Sequence, residues 1–193
     1  MAEKLKPIKV RLIEATIREI EAVGPEKLSL RKIAAACGTT HASIYKYFKN
    51  KQDLILSCCP YVLLRFTAYI KRSIKDADVP YVALCKAYMR YMLKHPQYHY
   101  LLHLSPKTQG DGVTQKHLEQ ERRYAGFWGI IDDYMQQCGV KKETYAELCA
   151  LVSSILNGVI ILINRNAVIY HGDVTDLVDI LILDRLNLRP IKQ

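Results

Sequence analysis

Apolar residues recur at every third or fourth position along most of this chain, and nowhere do they alternate. Val10, Ile13, Ile17 and Ile20 fall on one face of a helix from about Pro7 to Val23, which Gly24-Pro25 stops. Ser29 caps a second helix, LRKIAAAC, and Gly38 supplies the left-handed conformation just past its end. Thr40 caps a short third helix to about Phe48. Asn50 caps a fourth, with Asp53 at its third position near the positive helix end. Pro60 lies about ten residues into that helix, where a proline either kinks a helix or begins a new one. Pro80 and Pro96 open a fifth and a sixth helix, each in a first turn, where a missing N–H costs nothing. The polar run Ser105 to Val113 reads as a loop, followed by a helix from about Thr114 to Cys138 closed by Gly139. Two strongly apolar helices come last, roughly Lys142 to Val168 and Asp173 to Asn187. No internal repeat is visible. The expected fold is all-α with about nine helices: a small head over residues 1–50 and a larger helical domain over 51–193.

Charge changes this picture at one place. The chain has 193 residues and a formal net charge of +9. From Lys27 to Gln52 it carries six Lys or Arg and no Asp or Glu. A generically basic surface would spread such charge; an acid-free segment implies something anionic opposite it. At its centre stands CGTTHASIYKYFKNK, Cys37 to Lys51. Ile44 and Phe48, four apart, would turn inward and leave His41, Ala42, Ser43 and Lys46 facing out. Hydroxyls, phenols and ammonium groups are the donors that phosphate oxygens accept, and a carboxylate among them would repel a nucleic-acid backbone. Two short helices joined by CGTT form a helix-turn-helix whose second helix would lie in the DNA major groove.

The run LSLRKIAAACGTTHASIYKYFKNKQDLI resembles the DNA-binding signature of the TetR family of bacterial transcriptional regulators. The matching features are Ile33-Ala34, the Gly38 turn, Tyr45, Phe48, and Asn50-Lys51 with Leu54, over about Ile13 to Ile55. A weaker likeness, Val82 to His103, resembles a pattern in ligand-binding domains of one subgroup. Lys46 and Tyr47 depart from the aromatic and His that the family often has there, which leaves the operator sequence open. The resemblance implies that Tyr45 and Lys51 clamp phosphate and that Arg31 reaches a base or phosphate, against the alternative of a solvated Arg. His41, Ser43 and Lys46 are candidate base readers, and Ala42 could meet a thymine methyl. Ser29 and Thr40 cap helices and are also phosphate candidates. Tyr47 either clamps phosphate or packs.

The remaining residues need a reason. A dimer would read two half-sites about 34 Å apart. Val152, Ile155, Leu156, Val159 and Ile163, with Leu177 and Leu181 on the last helix, are expected to bury against a second copy, or else to form one subunit's core. The sequence is also rich in Tyr and His. Tyr61, Tyr88, Tyr91, Tyr98, His99, His103, Tyr124 and Trp128 are expected to line a pocket for a small organic effector; the bland alternative is aromatic core. His95, His99 and His103 at four-residue spacing could in principle hold a metal, and adjacent Cys58 and Cys59 could sense oxidants. The histidines have no acidic or Cys partner nearby, and consecutive cysteines on a helix diverge by about 100°, so no cofactor is expected. No signal peptide is visible, and the longest unbroken apolar stretch, Val159 to Ile163, is too short to span a bilayer, so a cytoplasmic protein away from membranes is expected. No nucleophile elbow, phosphate loop or HExxH appears, so enzymatic activity is not expected. The reading is a homodimeric, ligand-responsive regulator, more a repressor than an activator, with double-stranded DNA as partner. The alternative is a DNA-binding or architectural helical protein with no small-molecule effector.

Overall fold

The computed structural model describes residues 6–102, the backbone of 103 and 104, and residues 129–190. All regular structure among the described residues is helical. The helices are α1 (Ile8–Val23), α2 (Leu30–Ala36), α3 (His41–Ile44), α4 (Lys51–Ile74), α5 (Pro80–Lys94) and α6 (Pro96–His99), with a wide π-type turn over Tyr100–Leu104. Residues 129–137 form α7; α8 (Tyr145–Asn164) follows a single 3-10 turn at Lys142–Thr144; and α9 (Asp176–Val178) widens into a π-type stretch, Asp179–Arg185.

The expected punctuation is present in detail. Ser29 Oγ accepts from Lys32 N at 3.4 Å, and Thr40 Oγ1 accepts from Ser43 N at 3.3 Å. Asn50 and Asp53 form a reciprocal cap: Asp53 N donates to Asn50 Oδ1 at 2.8 Å, and Lys49 N donates to Asp53 Oδ2 at 2.9 Å. Gly38 takes φ +63°, the left-handed region that its place past α2 requires.

Three expectations are corrected, and one open alternative is decided. The third helix is shorter than predicted: past Ile44 the N–H groups of Tyr45, Lys46 and Tyr47 bond three residues back. Such tightening is usual where a short segment lacks the length to sustain an α-helix. Pro60 lies inside α4 and does not open a new helix. The last helix starts later and is wider than the sequence suggests. Finally, counting only unbroken apolar residues understated hydropathy: α4 and the stretch Lys142–Asn164 are long and apolar enough to cross a membrane by composition. An averaged window tolerates the isolated polar residues that ended the shorter count.

The described residues fall into two compact units, one holding 6–65 and 97–104, the other 66–96 and 129–190. In the first, α1 packs on α2 and α2 on α3, over a core that includes Leu12, Ile17, Ile33, Ile44, Phe48 and Leu54. Cys58 is buried there, its thiol donating to Leu54 O at 3.3 Å. Burial, with Cys59 beside it, pushes that thiol well above the ordinary range, opposite to what a reactive sensor needs. In the second unit α5 packs against α8 and α9. Tyr81 stacks on Tyr134 at 4.6 Å, and burial pushes the neighbouring Cys85 thiol up to about 12.

Candidate nucleic-acid interface

The recognition surface follows from how α3 is anchored. Ile44 and Phe48 are buried, as their four-residue spacing requires, and hold α3 and its following turn on the head. Arg11 of α1 reaches across to donate to Cys37 O at 2.7 Å, satisfying a carbonyl at the end of α2. Lys9 lies over the Phe48 ring at 5.8 Å. With the inward face fixed, the opposite face is exposed: Arg31, Thr40, His41, Ala42, Tyr45, Lys46, Tyr47 and Lys49. Tyr45 is 48% exposed and Tyr47 39%, so neither phenol is a core residue. His41 meets Tyr45 edge to face, with ring centroids 5.3 Å apart, which orders both rings on the outer side.

Besides Thr40, the cap of α3, three candidates carry a second duty. Ser43 is half-buried and its hydroxyl lies 2.8 Å from Thr40 Oγ1, so part of its hydrogen-bonding capacity is already engaged within the cap. Ser29 is half-buried as a cap. Lys51 Nζ donates to Glu26 O at 3.0 Å, tying the start of α4 to the loop before α2; its ammonium has two further donors. The first carboxylate after Glu26 is Asp53, which is half-buried in its cap. Lys49 was not singled out in the candidate set, although the acid-free run contains it.

The expected effector residues go to separate places. Tyr61 is exposed on α4. Tyr98 and His99 are buried in the first unit, Tyr98 hydrogen-bonded to Glu21 and Arg65. In the second unit Tyr88 OH donates to Asn157 Oδ1 at 2.6 Å. Tyr88 and Tyr91 both meet Phe66 edge to face, while Tyr91 also meets Tyr69 at 5.1 Å and His95 at 4.7 Å. These rings pack on one another as aromatic core. The His103 side chain, Tyr124 and Trp128 lie outside the described residues, as does the loop and helix start expected over 105–128. A cavity of about 720 Å³ opens elsewhere, between α7 and the first half of α8, where Ile131, Asp132, Lys142, Tyr145, Cys149 and Ser153 are among the lining residues. The signal for it was the small residues Ala146, Ala150 and Ser153 along one side of α8, which leave room. Among the described residues no group of three His, Cys, Asp or Glu gathers as a metal site.

On α8 the interface candidates divide by burial. Val152 and Leu156 are buried in the subunit's own core with Ile160. Ile155, Val159 and Ile163 are only half-buried, beside Leu151 and Leu162, which are 44% and 45% exposed. Leu177 and Leu181 are half-buried on the last helix, next to exposed Ile180.

A helix-turn-helix with a basic, acid-free outer face, among described residues whose regular structure is all helical, is the kind of surface that a nucleic-acid backbone fits. Residues 12–58 match the family model described as bacterial regulatory proteins, tetR family. The "Fatty acid metabolism regulator protein" of Bacillus subtilis (strain 168) is 30% identical over 71 residues, 37% of this chain and 37% of that protein. The match therefore spans little more than a third of that relative's length. Two solved structures share the fold over nearly the whole chain. A TetR family transcription regulator from Marinobacter aquaeolei VT8 has a TM-score of 0.65 and 19% identity, covering 92% of this chain and 94% of that one. The regulator FadR from Bacillus subtilis, solved in complex with stearoyl-CoA, has a TM-score of 0.65 and 17% identity, covering 95% and 99%. Over residues 12–58 the chain is similar to the DNA-binding segment of the tetR family, and over nearly its whole length it shares the fold of these two structures.

Proposed function

We propose that this protein is a homodimeric repressor that binds a pseudo-palindromic operator and is released by a small organic effector. The observation that carries the reading is the outer face of the head. His41, Ala42, Tyr45, Lys46 and Tyr47 are all exposed around two buried anchors, Ile44 and Phe48, with no carboxylate from Lys27 to Gln52. Such a face matches a phosphate backbone and the edges of bases, and it asks for binding, not turnover. His41, Ala42 and Lys46 read bases; Arg31, Tyr45, Tyr47 and Lys51 hold phosphates; Ser29, Thr40 and Ser43 chiefly order the helices that present them. The work is that of a cytoplasmic protein.

A second copy is supported by α8. With the 3-10 turn before it, the stretch Lys142–Asn164 is strongly apolar, yet little of it is buried within the chain. An apolar face left open in one chain calls for an apolar partner, and a two-fold dimer sets two heads at the spacing of two half-sites. The effector is supported by the cavity between α7 and α8. Ile131, Ala146, Ala150 and the Tyr145 ring offer apolar surface, while Lys142 and Asp132 offer opposite charges. FadR, with the same fold, was solved with stearoyl-CoA, so an acyl thioester is a first effector to try. The filled aromatic cluster around Phe66 favours the alternative, a DNA-binding protein without an effector; the open cavity favours the regulator.

The test is selection of bound duplex from a random pool. A pseudo-palindromic motif is expected, with release when stearoyl-CoA or shorter acyl thioesters are titrated in. Enrichment of an asymmetric single half-site would defeat the dimeric reading, and no enrichment would defeat DNA recognition itself.

A further inference from the structure

The segment after α5 packs with the head: residues 97–104 share a compact unit with residues 6–65. Its first residues meet the end of α1. Gly24, at φ +84°, leaves the space that Gln97 uses, since a Cβ there would lie 3.1 Å from Gln97 Oε1. Tyr98 is 1% exposed, and its hydroxyl is fully employed. It donates to the Glu21 carboxylate in the last turn of α1 and accepts from Arg65 Nη1 of α4 at 3.1 Å. Arg65 also pairs with Glu21 at 3.6 Å. Three helices thus meet at one oxygen.

An exposed Arg–Glu pair holds little by itself. A buried phenol changes that, because a dehydrated donor and acceptor that loses its partner stays unsatisfied. Burial and the neighbouring carboxylate also keep the Tyr98 hydroxyl protonated, a donor at any physiological pH. If Tyr98 served only to fill space, a phenyl ring would do as well; the hydroxyl has two charged partners on two other helices. What α1 carries makes the contact consequential, since α1 supports α2 and α2 supports α3.

We infer that Tyr98 is a positioning residue for DNA recognition, its hydroxyl latching the end of α1 to α4 and α6 so that the helix-turn-helix is held in its DNA-competent pose. The inference rests on the DNA-binding reading above. Its chemistry also explains why a tyrosine in a stretch resembling a ligand-binding pattern is turned toward the head.

The experiment uses the full-length protein and a duplex enriched on the wild type from a random pool. Tyr98→Phe is expected to lower affinity for that duplex about fivefold, the scale of a lost hydrogen bond to a charged group felt partly in the free protein. The enriched base motif should stay the same, because no base-reading residue is touched, and the melting temperature should fall only slightly. In a Glu21→Ala background, Tyr98→Phe should add nothing. Unchanged affinity overturns the latch, and so does an equal loss in the Glu21→Ala background, which would make the effect one of packing. If Tyr98→Phe fails to fold, Glu21→Ala and Arg65→Ala take its place. Both sites are partly exposed, and their losses should be similar and non-additive; fully additive losses overturn the proposal. If the wild type enriches no duplex, the DNA-binding reading fails first and the latch falls with it.

Discussion

Two helices of this protein leave a face uncovered, and they do so in opposite chemical terms. α3 and its following turn expose His41, Tyr45, Lys46 and Tyr47 around a buried pair. α8 exposes Leu151 and Leu162 and half-exposes Ile155, Val159 and Ile163, beside the buried Val152, Leu156 and Ile160. The first face is polar, basic and free of acid; its missing partner is anionic. The second has almost no charge; its missing partner is apolar, and the simplest apolar face of matching shape is its own copy. A short helix that cannot stand alone is held by two anchors and can give the rest of its surface to recognition. A long one buries some of its apolar side chains in its own core and leaves others to spare.

The largest effects separate the two sides of α8. Leu156→Asp places an unpaired carboxylate in the subunit core and should unfold the chain, a cost of several kcal/mol. Val159→Asp, on the half-exposed side, should leave each subunit folded but monomeric, with operator binding lost although the head is untouched. Circular dichroism and light scattering read both. A soluble, folded dimer of Val159→Asp would remove this face of α8 from the interface. Monomeric chains that instead bind vesicles would assign the face to lipid.

Next come the residues proposed to read bases. Lys46→Ala and His41→Ala should each relax preference at one or two base positions, about 1–3 kcal/mol for a bidentate contact. A selected motif identical to that of the wild type would strip the residue of that role. Ala42 gives a finer version: a larger side chain there should alter preference for thymine at one position only.

Thr40→Ala tests how far a cap and a contact can be told apart. Loss of the bond from Ser43 N and of the hydroxyl pair with Ser43 should lower stability by about 1 kcal/mol. If Thr40 only orders α3, DNA affinity measured well below the melting temperature should fall by less than stability does. A larger fall in affinity would mean that the hydroxyl also meets phosphate.

Most of the head was legible because its signals are local. Caps at Ser29, Thr40 and Asn50, the left-handed Gly38 and the pair Ile44 and Phe48 each follow from a few neighbouring residues. The reach of α3 was overstated because apolar spacing continues to Phe48 while the hydrogen bonds of Tyr45, Lys46 and Tyr47 tighten to three residues back. The rest of the chain was harder for a physical reason: periodicity shows that a helix has apolar faces but not which neighbour each face meets. So Leu156 and Val159 read alike, though one is core and the other is half-exposed. The same limit applies to tyrosine, whose ring and hydroxyl suit a pocket, an aromatic cluster or a latch equally well. Tyr88, Tyr91 and Tyr98 turned out to be held by Asn157, by other rings, and by Glu21 with Arg65. The cavity appeared where small residues stand, a weaker sequence signal than a row of aromatics.

The smallest expected effect is at Lys51. Its ammonium is tied to Glu26 O at 3.0 Å, and two of its three donors remain for a phosphate. If it meets one, Lys51→Ala should weaken binding to every duplex alike and leave the selected motif intact. The log–log dependence of affinity on salt should flatten by about 0.9, one counterion's worth. Lys51→Arg should restore the slope, since a guanidinium also carries charge to the backbone. The competing account is that Lys51 only staples the start of α4 to the loop before α2. In that case stability falls, the salt slope stays where it was, and the basic face of the head loses one of its assigned phosphate contacts. Measuring affinity at several salt concentrations decides between them, because a staple releases no counterions and a phosphate contact must.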